Sequence, residues 1–315
     1  MRSELSVAAE GASSARPAHR DNSAPSFGGH SMIAPLRRVA VKRPQEAFGD
    51  PATIGAQWEA LNYSAPPDLE RAAKEHERLV AILQRACAEM LYLPEDPRTG
   101  LDSIYAHDPC LITDAGAVIF QTGKAARRGE GPACADAFRA WGIPIHGTVD
   151  GAAFAEGGDL IWLDSKTLLA GRGFRTNAAG IEKLRALLAP LGAEVIEVPL
   201  PYGSGPADVL HLMSFISLLD RELAVVHRPL LPVPLFELLT ERGVELVDIP
   251  GKEYASQGCN VLALAPREAL MLAGNPQTRA RLERAGCRVQ EYEGAEISLK
   301  GSGGPTCLTR PLLRR

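Results

Sequence analysis

The sequence lacks an apolar run of about 18 residues, the length at which a membrane-spanning helix is expected. It also lacks a surplus of basic residues, because 34 Lys and Arg against 38 Asp and Glu give a formal net charge of −4. A general nucleic-acid-binding protein usually carries excess positive charge. We therefore expect neither a membrane nor a nucleic acid as a partner of this chain.

The cysteines lack the spacing of a structural metal site. There is no CxxC pair and no CxxC–HxxxH pattern, so we predict no zinc site. The content of 45% hydrophobic residues in 315 is enough to bury a core without a disulfide framework. We expect free thiols in a reducing, cytoplasmic setting. The six cysteines are Cys87, Cys110, Cys134, Cys259, Cys287 and Cys307.

Residues 1–31 have few large apolar side chains and are rich in Ala, Ser, Gly and Pro. Such a composition cannot bury enough surface to offset the entropy of ordering the chain. No apolar stretch follows its basic residues, so a secretory signal is not indicated. We predict a disordered tail, or an overlong start of the reading frame, and a single folded domain over residues 32–315.

What the sequence does contain is a repeated pattern of strand, turn, strand, helix and strand. Each copy has a glycine at the end of its helix, where a positive φ is often needed. The helices show apolar residues at three- and four-residue steps. The strand pairs of the copies are Cys110–Phe120, Asp159–Gly171, Phe215–His227 and Asn260–Leu272, and the glycines are Gly142, Gly192, Gly243 and Gly286.

A fifth copy would be split between the two ends of the chain. It would join Arg37–Pro44 and a helix over Leu69–Met90 to the C-terminal strand CLTRPLL. Such a split unit closes a ring without a free sheet edge. We therefore predict an α/β fold, a five-bladed ββαβ propeller with pseudo-fivefold symmetry. An ordinary doubly wound α/β sheet is the alternative.

Two segments of the chain carry a potential nucleophile and a potential acid/base group. The glycine-rich KGSGGPTCLTRP delivers Cys307 onto a strand with room for a ligand beside its sulfur. In DVLHLMSF, His211 lies in an otherwise apolar stretch. Taken singly, a buried cysteine is usually inert packing, and a lone histidine in such a stretch is more often a core residue.

Two further segments carry carboxylates. In AEGGD, Glu156 precedes two glycines that let the backbone approach something closely. In AHDPCLITD, Asp108 and Asp114 are six residues apart on an extended segment, so alternation can put them on one face. Singly, each segment could be a turn or a solvated strand end. Together with the thiol and the imidazole, they suit a flat cation with an electrophilic carbon, and a guanidinium fits that description.

The order of HDPCLITD, EGGD, LHLMSF and GGPTC resembles the pentein superfamily of guanidine-modifying enzymes. The likeness is strongest to the dimethylarginine dimethylaminohydrolases, with the arginine deiminases next, and covers most of residues 32–315. It implies a five-bladed α/β propeller with a small guanidino compound as its partner. It also implies a hydrolase without metal or organic cofactor, and we expect a homodimer at most.

The resemblance also implies roles for matching positions. It makes Cys307 the nucleophile, His211 the general acid/base and Glu156 the carboxylate that orients the guanidinium. Asp108 and Asp114 match acidic positions that contact the substrate, and Arg127 and Arg175 resemble arginines that hold its α-carboxylate.

Two positions depart from the family patterns. Thr113 precedes Asp114 where dimethylarginine hydrolases usually carry Glu, and Met213 stands where arginine deiminases carry a second acid. The expected reaction is hydrolysis of a methylated arginine to citrulline and an amine through a thiouronium on Cys307. The alternatives are arginine deiminase or dihydrolase activity, transfer of the amidino group to another amine, and a non-catalytic binding protein of the same fold.

Overall fold

The chain repeats one structural unit five times, as shown by a computed structural model that describes residues 26–87 and 89–315. Five separate three-stranded sheets are formed, and the units are arranged as a propeller-like ring. The predicted fivefold α/β propeller is therefore confirmed, and the doubly wound alternative is wrong. Within the described residues, no helix is both long and apolar enough to span a membrane.

The helices and strands follow the predicted order in the second to fifth units, whereas the first unit also contains two short helices and a third strand that were not predicted. The first unit contains β1 (Leu36–Val41), α1 (Pro44–Phe48), α2 (Pro51–Gln57), α3 (Leu69–Ala86) and β2 (Glu89–Tyr92). The second contains β3 (Cys110–Thr113), β4 (Gly116–Phe120), α4 (Glu130–Ala140) and β5 (Ile145–Val149). The third contains β6 (Leu160–Asp164), β7 (Thr167–Arg172), α5 (Ala178–Leu188) and β8 (Glu194–Pro199). The fourth contains β9 (Ile216–Asp220), β10 (Leu223–Val226), α6 (Val233–Glu241) and β11 (Glu245–Asp248). The fifth contains β12 (Leu262–Ala265), β13 (Glu268–Leu272), α7 (Pro276–Arg284) and β14 (Arg288–Tyr292), and the chain ends in β15 (Arg310–Arg314).

Each sheet contains one antiparallel and one parallel pair of strands. In the second to fifth units, a tight turn joins the two antiparallel strands, such as β6 and β7, and a helical crossover then brings in a parallel strand, such as β8. Parallel neighbours require a long crossover of this kind. The helices also fill the space between sheets: Leu184 of α5 packs in one apolar cluster with Val118 of β4 and Leu168 of β7.

The ring closes as predicted, with the C-terminal strand completing the first unit. β15 pairs antiparallel with β1, with Ala40 opposite Arg310, and β1 pairs parallel with β2. One boundary was wrong. The helix expected to reach Met90 ends at Ala86, and Met90 lies in β2, because the unit needs its parallel third strand there.

The glycines at the helix ends have the conformation that the sequence predicts. Gly142, Gly192, Gly243 and Gly286 have φ values of 73°, 71°, 71° and 83°. A side chain is disfavoured at such positive φ. In the second to fifth units, the recurring glycine therefore follows the crossover helix and turns the chain toward its parallel strand.

The folded part begins before residue 32, so that predicted boundary is too late. Gly28 bridges to Leu313 of β15, and the ring of His30 stacks on Trp162 at 4.2 Å between centroids. Contacts with distant parts of the chain therefore bury residues of this segment, although its composition alone predicts little burial. The rest of the predicted tail, residues 1–25, lies outside the described residues.

Candidate active site

Each of the five units places one polar side chain a few residues before the outer strand of its sheet. This outer strand is the one that pairs antiparallel with the central strand. Because these points surround the axis of the ring, residues far apart in sequence meet there. The five residues are Asp108 before β3, Glu156 before β6, His211 before β9, Asn260 before β12 and Cys307 before β15.

The loop that leads to Cys307 requires glycine because its backbone passes very close to other side chains. A Cβ at Gly301 or Gly303 would collide with Tyr105, and one at Gly304 would lie 2.6 Å from Cγ of Asn260. Cys307 is partly exposed, whereas the other five cysteines are buried. Its thiol is therefore the one placed to meet a ligand.

The imidazole of His211 is held by Glu156, with Nε2 2.7 Å from Oε2. The two glycines after Glu156 make room for this arrangement. A Cβ at Gly158 would lie 2.5 Å from Nδ1 of His211, and one at Gly157 would collide with the carbonyl of His107. The close approach predicted from the EGGD motif is therefore present.

Asp108 joins the same cluster. Its Oδ1 accepts from the backbone N–H of Gly158 at 3.0 Å, and its Oδ2 accepts from Nη1 of Arg127 at 2.6 Å. One ligand atom each from Asp108, Glu156 and His211 lies within 4.8 Å of the others. A carboxylate has about four acceptor positions, so both acids keep capacity for the N–H groups of a cation.

Arg127 has a different environment from the one predicted. Its guanidinium is buried and is held by both oxygens of Glu130, at 2.9 and 2.8 Å, as well as by Asp108. Backbone carbonyls of Asp102 and Tyr105 also accept from Nη2. Arg127 also lines a cavity together with Asp108. Its observed contacts fix the position of Asp108, and its contact with a substrate carboxylate stays a prediction.

Arg175 lies where a ligand can reach it. Its Nη1 is 3.3 Å from Oε2 of Glu156, its Nη2 is 3.4 Å from the carbonyl of Asp208, and it lines the same cavity as Cys307 and His211. These long hydrogen bonds leave donor capacity on the guanidinium.

Asp114 is not part of this site, and the prediction that it contacts the substrate is wrong. Its side chain is 53% exposed and accepts from the backbone N–H of Gly29. Alternation does put residues six apart on one face, but a strand rises about 3.3 Å per residue, so they are about 20 Å apart along it. Asp108 is at the start of β3 and Asp114 is beyond its end.

The electrostatics of the cluster favour a protonated imidazole. Burial alone would lower the pKa of His211, but the carboxylates of Asp159, Asp108 and Glu156 outweigh it and raise that pKa to about 9. Burial likewise opposes ionisation of Glu156, yet the hydrogen bond and charge of His211, with Arg175, hold its pKa below the ordinary value. At neutral pH the pair is therefore imidazolium and carboxylate.

The thiol of Cys307 is held in its neutral form by the same surroundings. Burial, with the nearby charge of Asp108, raises the pKa of Cys307 to about 12. A hydrogen bond from Asn260 acts in the opposite direction. A cation bound between Asp108 and Cys307 would favour the thiolate.

Two cavities meet at the Cys307–His211 pair. The inner one encloses about 430 Å³ and carries the charged groups Asp102, Lys124 and Arg175. The outer one is open to solvent, spans about 1040 Å³ and is lined by Met213, Tyr254 and Ala255 as well as by Asp208. The inner cavity therefore carries more charged groups than the outer one.

The cluster is better suited to an organic cation than to a metal ion. A metal requires a neutral imidazole, whereas the pKa of about 9 keeps His211 protonated at neutral pH. Asp108 and Glu156 also already accept from Arg127 and Arg175. We therefore assign this cluster no metal.

Sequence reasoning missed Asn260 and Lys124. Asn260 donates to Sγ of Cys307 at 3.3 Å. Lys124 donates through Nζ to the carbonyl of Leu61 and to Asp102, and through its backbone N–H to Glu156. Asn260 had a usable signal, since it is a lone polar residue before an apolar strand, as His211 is.

Comparisons with known proteins agree with this geometry. The sequence profile of the family described as "N,N dimethylarginine dimethylhydrolase, eukaryotic" matches residues 53–314. A dimethylarginine dimethylaminohydrolase of Streptomyces coelicolor is 31% identical over 282 residues, covering 87% of this chain and 96% of that protein. The Pseudomonas aeruginosa enzyme of the same name is 26% identical over 243 residues, covering 77% and 89%.

Solved structures show the same fold. A mutant of the Pseudomonas aeruginosa dimethylarginine dimethylaminohydrolase, complexed with citrulline, superposes with a TM-score of 0.71 at 23% identity, covering 89% of this chain and 100% of that one. An amidinotransferase of saxitoxin biosynthesis from Microseira wollei gives 0.73 at 16% identity, covering 92% and 97%. By its family profile and its Streptomyces relative, the chain belongs to the dimethylarginine dimethylhydrolase family of the pentein superfamily.

Proposed function

We propose that this hydrolase of guanidino C–N bonds converts Nω-methylated arginine to citrulline and a methylated amine. The observation that supports the proposal is that Cys307, His211 and Asp108 line one cavity, with Glu156 hydrogen-bonded to His211. A thiol, an imidazolium and two carboxylates are the groups that a guanidinium carbon requires. They provide a nucleophile, a proton donor and a pair of cation holders.

The substrate fits the two cavities in one orientation. Its guanidinium lies against Asp108 and Glu156, which hold it by charge-assisted hydrogen bonds and set the angle of attack. Its amino-acid end points into the inner cavity, where Arg175 supplies a cation for the carboxylate. Its N-methyl groups face the outer cavity beside Met213 and Tyr254, whose surfaces need no hydrogen bond.

In the first half of the reaction, the bound cation promotes ionisation of Cys307, and the thiol proton passes to solvent because the imidazolium of His211 cannot accept it. The thiolate forms a bond to the guanidinium carbon and gives a tetrahedral intermediate. The imidazolium of His211, which Glu156 holds through Nε2, donates a proton to the departing nitrogen. The C–N bond breaks, the amine leaves with that proton, and a thiouronium remains on Cys307.

In the second half, the neutral imidazole acts as a base. His211 takes a proton from water while the water oxygen attacks the same carbon. The C–S bond then breaks, the sulfur leaves as the thiolate of Cys307, and the proton remaining on the new oxygen passes to solvent. The ureido product carries the oxygen of that water, so no cofactor is required.

The unusual Thr113 does not count against a methylated substrate. Its side chain is buried, and its hydroxyl donates to the carbonyl of Gly116 at 2.8 Å. It therefore lies at the end of β3, next to the β3–β4 turn, and lines neither cavity. The neutral Met213, in place of a second acid, supports a substituted guanidine.

The test is a product assay with asymmetric dimethylarginine, monomethylarginine and arginine, measuring citrulline and released amine. Citrulline from the methylated substrates, lost in Cys307→Ser, would support the proposal. Turnover of arginine alone would replace it with deiminase or dihydrolase activity, according to whether citrulline or ornithine accumulates. A new guanidino compound formed only when an acceptor amine is added would identify an amidinotransferase.

A further inference from the structure

We propose that Asn260 is a catalytic residue, which donates a hydrogen bond to the sulfur of Cys307 both when the thiolate attacks and when it leaves. This inference rests on the proposed function for the identity of the nucleophile. Asn260 belongs to the fifth unit of the ring, which supplies no other group to the proposed reaction.

The first support is the position of Asn260 in the fold. It precedes β12 as Asp108 precedes β3 and His211 precedes β9. Asn260 is buried at 5% exposure in a stretch that is otherwise apolar. Burial of an amide is unfavourable unless its hydrogen bonds are satisfied, so its contacts at the axis explain why a polar residue is present there.

The second support is that the orientation of the amide is determined by its surroundings. Oδ1 of Asn260 accepts from the backbone N–H of Thr306 at 3.1 Å. The oxygen must therefore face Thr306, and the Nδ2 end must face Sγ of Cys307, at 3.3 Å. An amide turned the other way would bring a carbonyl oxygen toward the sulfur and leave the N–H of Thr306 unpaired.

The third support is the close packing around this contact. Gly304 lies so near Asn260 that a Cβ would come within 2.6 Å of its side chain. The loop that carries Cys307 is thus bonded at Thr306 and packed at Gly304 against the same amide. Asn260 both positions the sulfur and offers it an N–H.

The chemical consequence follows from the two charge states of the sulfur. A neutral N–H donor stabilises a thiolate more than a thiol, because the hydrogen bond is stronger when the acceptor is ionised. Burial and Asp108 both disfavour the thiolate here, and the amide opposes them. The same stabilisation assists the release of sulfur when the thiouronium is hydrolysed.

The test measures the thiol directly, without a substrate. Alkylation of Cys307 by iodoacetamide is followed across pH by mass spectrometry of its peptide, with Cys307→Ser as the blank. In Asn260→Ala, we expect the alkylation profile to shift to higher pH and the rate at fixed pH to fall about tenfold, the change that one pKa unit produces. Asn260→Asp keeps the acceptor for Thr306 but places a second oxygen against the sulfur, so its shift should be larger.

Asn275→Ala is the matched control, because Asn275 is a fully buried asparagine of the same unit that bonds to Ser256 and Leu272. It should lower the melting temperature without moving the alkylation profile. An unshifted profile in folded Asn260→Ala and Asn260→Asp would overturn the inference. Shifted alkylation without turnover of any guanidino compound would instead leave Asn260 supported and the proposed reaction refuted.

Discussion

His211 Nε2 lies 2.7 Å from Oε2 of Glu156, and Asp159 acts on the same ring from the third unit. These carboxylates, with Asp108, raise the pKa of His211 to about 9 although burial opposes them. The imidazolium is therefore present below about pH 9 and is lost as the pH rises through that value. A reaction that needs it as the proton donor should slow on the alkaline side.

We predict that Asp159→Asn moves this alkaline decline of kcat to lower pH. The carbonyl of Asn can still accept from the backbone N–H of Leu212, as Oδ1 of Asp159 does, so the change removes charge while keeping the hydrogen bond. The measurement is kcat against pH for citrulline release. Glu75→Gln, at a buried carboxylate bonded to the backbone of residues 295–297, serves as the control and should leave the profile in place. Identical profiles for Asp159→Asn and wild type would contradict the assignment.

Stability should depend on pH through the same histidine. Its folded pKa is above the ordinary value, so the paired imidazolium contributes fully below about pH 6.5. That contribution should be lost as the pH rises through about 9. Urea denaturation from pH 6 to 10 should show a decrease in stability that is smaller in His211→Gln. An equal decrease in both proteins would assign it to other groups.

The sequence predicted the ring because each unit carries its own local signals. Apolar periodicity marks the strands and helices, and Gly192 and Gly243 mark helix ends with positive φ. The third strand of the first unit was missed because Glu89 and Met90 follow α3 without a glycine. Residues 26–31 were missed because their stabilising contacts, such as His30 on Trp162, come from distant parts of the chain.

The site was predictable to the extent that its residues belong to short motifs. Cys307, His211, Glu156 and Asp108 were found in this way and meet at the axis. Asp114 was misplaced because alternation gives the face of a strand but not which end points to the axis. The burial of Arg127 between two acids depends on tertiary structure and has no local signal.

Asp108 and Asp114 are close in sequence, but only Asp108 lies in the site, so their variants should differ in activity. Asp108→Asn should lower kcat/KM by at least about 100-fold, because it removes charge-assisted contacts to the cation that are worth about 1.5–3 kcal/mol each and the partner of Arg127. Asp114→Asn should leave kcat/KM within about twofold, since surface changes are usually small. Steady-state assays with monomethylarginine compare them. A large loss in Asp114→Asn alone would restore Asp114 to the site.

Arg127 should be important for stability as well as for positioning Asp108. Arg127→Met would leave Asp108 and Glu130 buried without their partner, and breaking a buried ion pair typically costs about 3–5 kcal/mol. Arg242, whose side chain is 44% exposed in its pair with Asp164, is the matched control. Arg242→Met should cost at most about 1 kcal/mol. Urea denaturation midpoints measure both, and similar losses for the two variants would show that the buried cluster has no special role.

Lys124 connects residues 58–66, the segment that contains Leu61, to the rest of the ring. Its Nζ donates to the carbonyl of Leu61 at 2.8 Å and to Oδ2 of Asp102 at 2.6 Å, and Leu61 lines the inner cavity. Lys124→Met keeps the backbone hydrogen bond to Glu156 and removes only this connection. Hydrogen bonds to charged groups contribute about 1.5–3 kcal/mol, so we expect KM to rise about tenfold or more with a smaller change in kcat. Limited proteolysis within residues 58–66 should also become faster. Lys183→Met, at an exposed pair with Asp150, should change neither. A loss confined to kcat in Lys124→Met would mean that the lysine acts on the chemical step rather than on the position of residues 58–66.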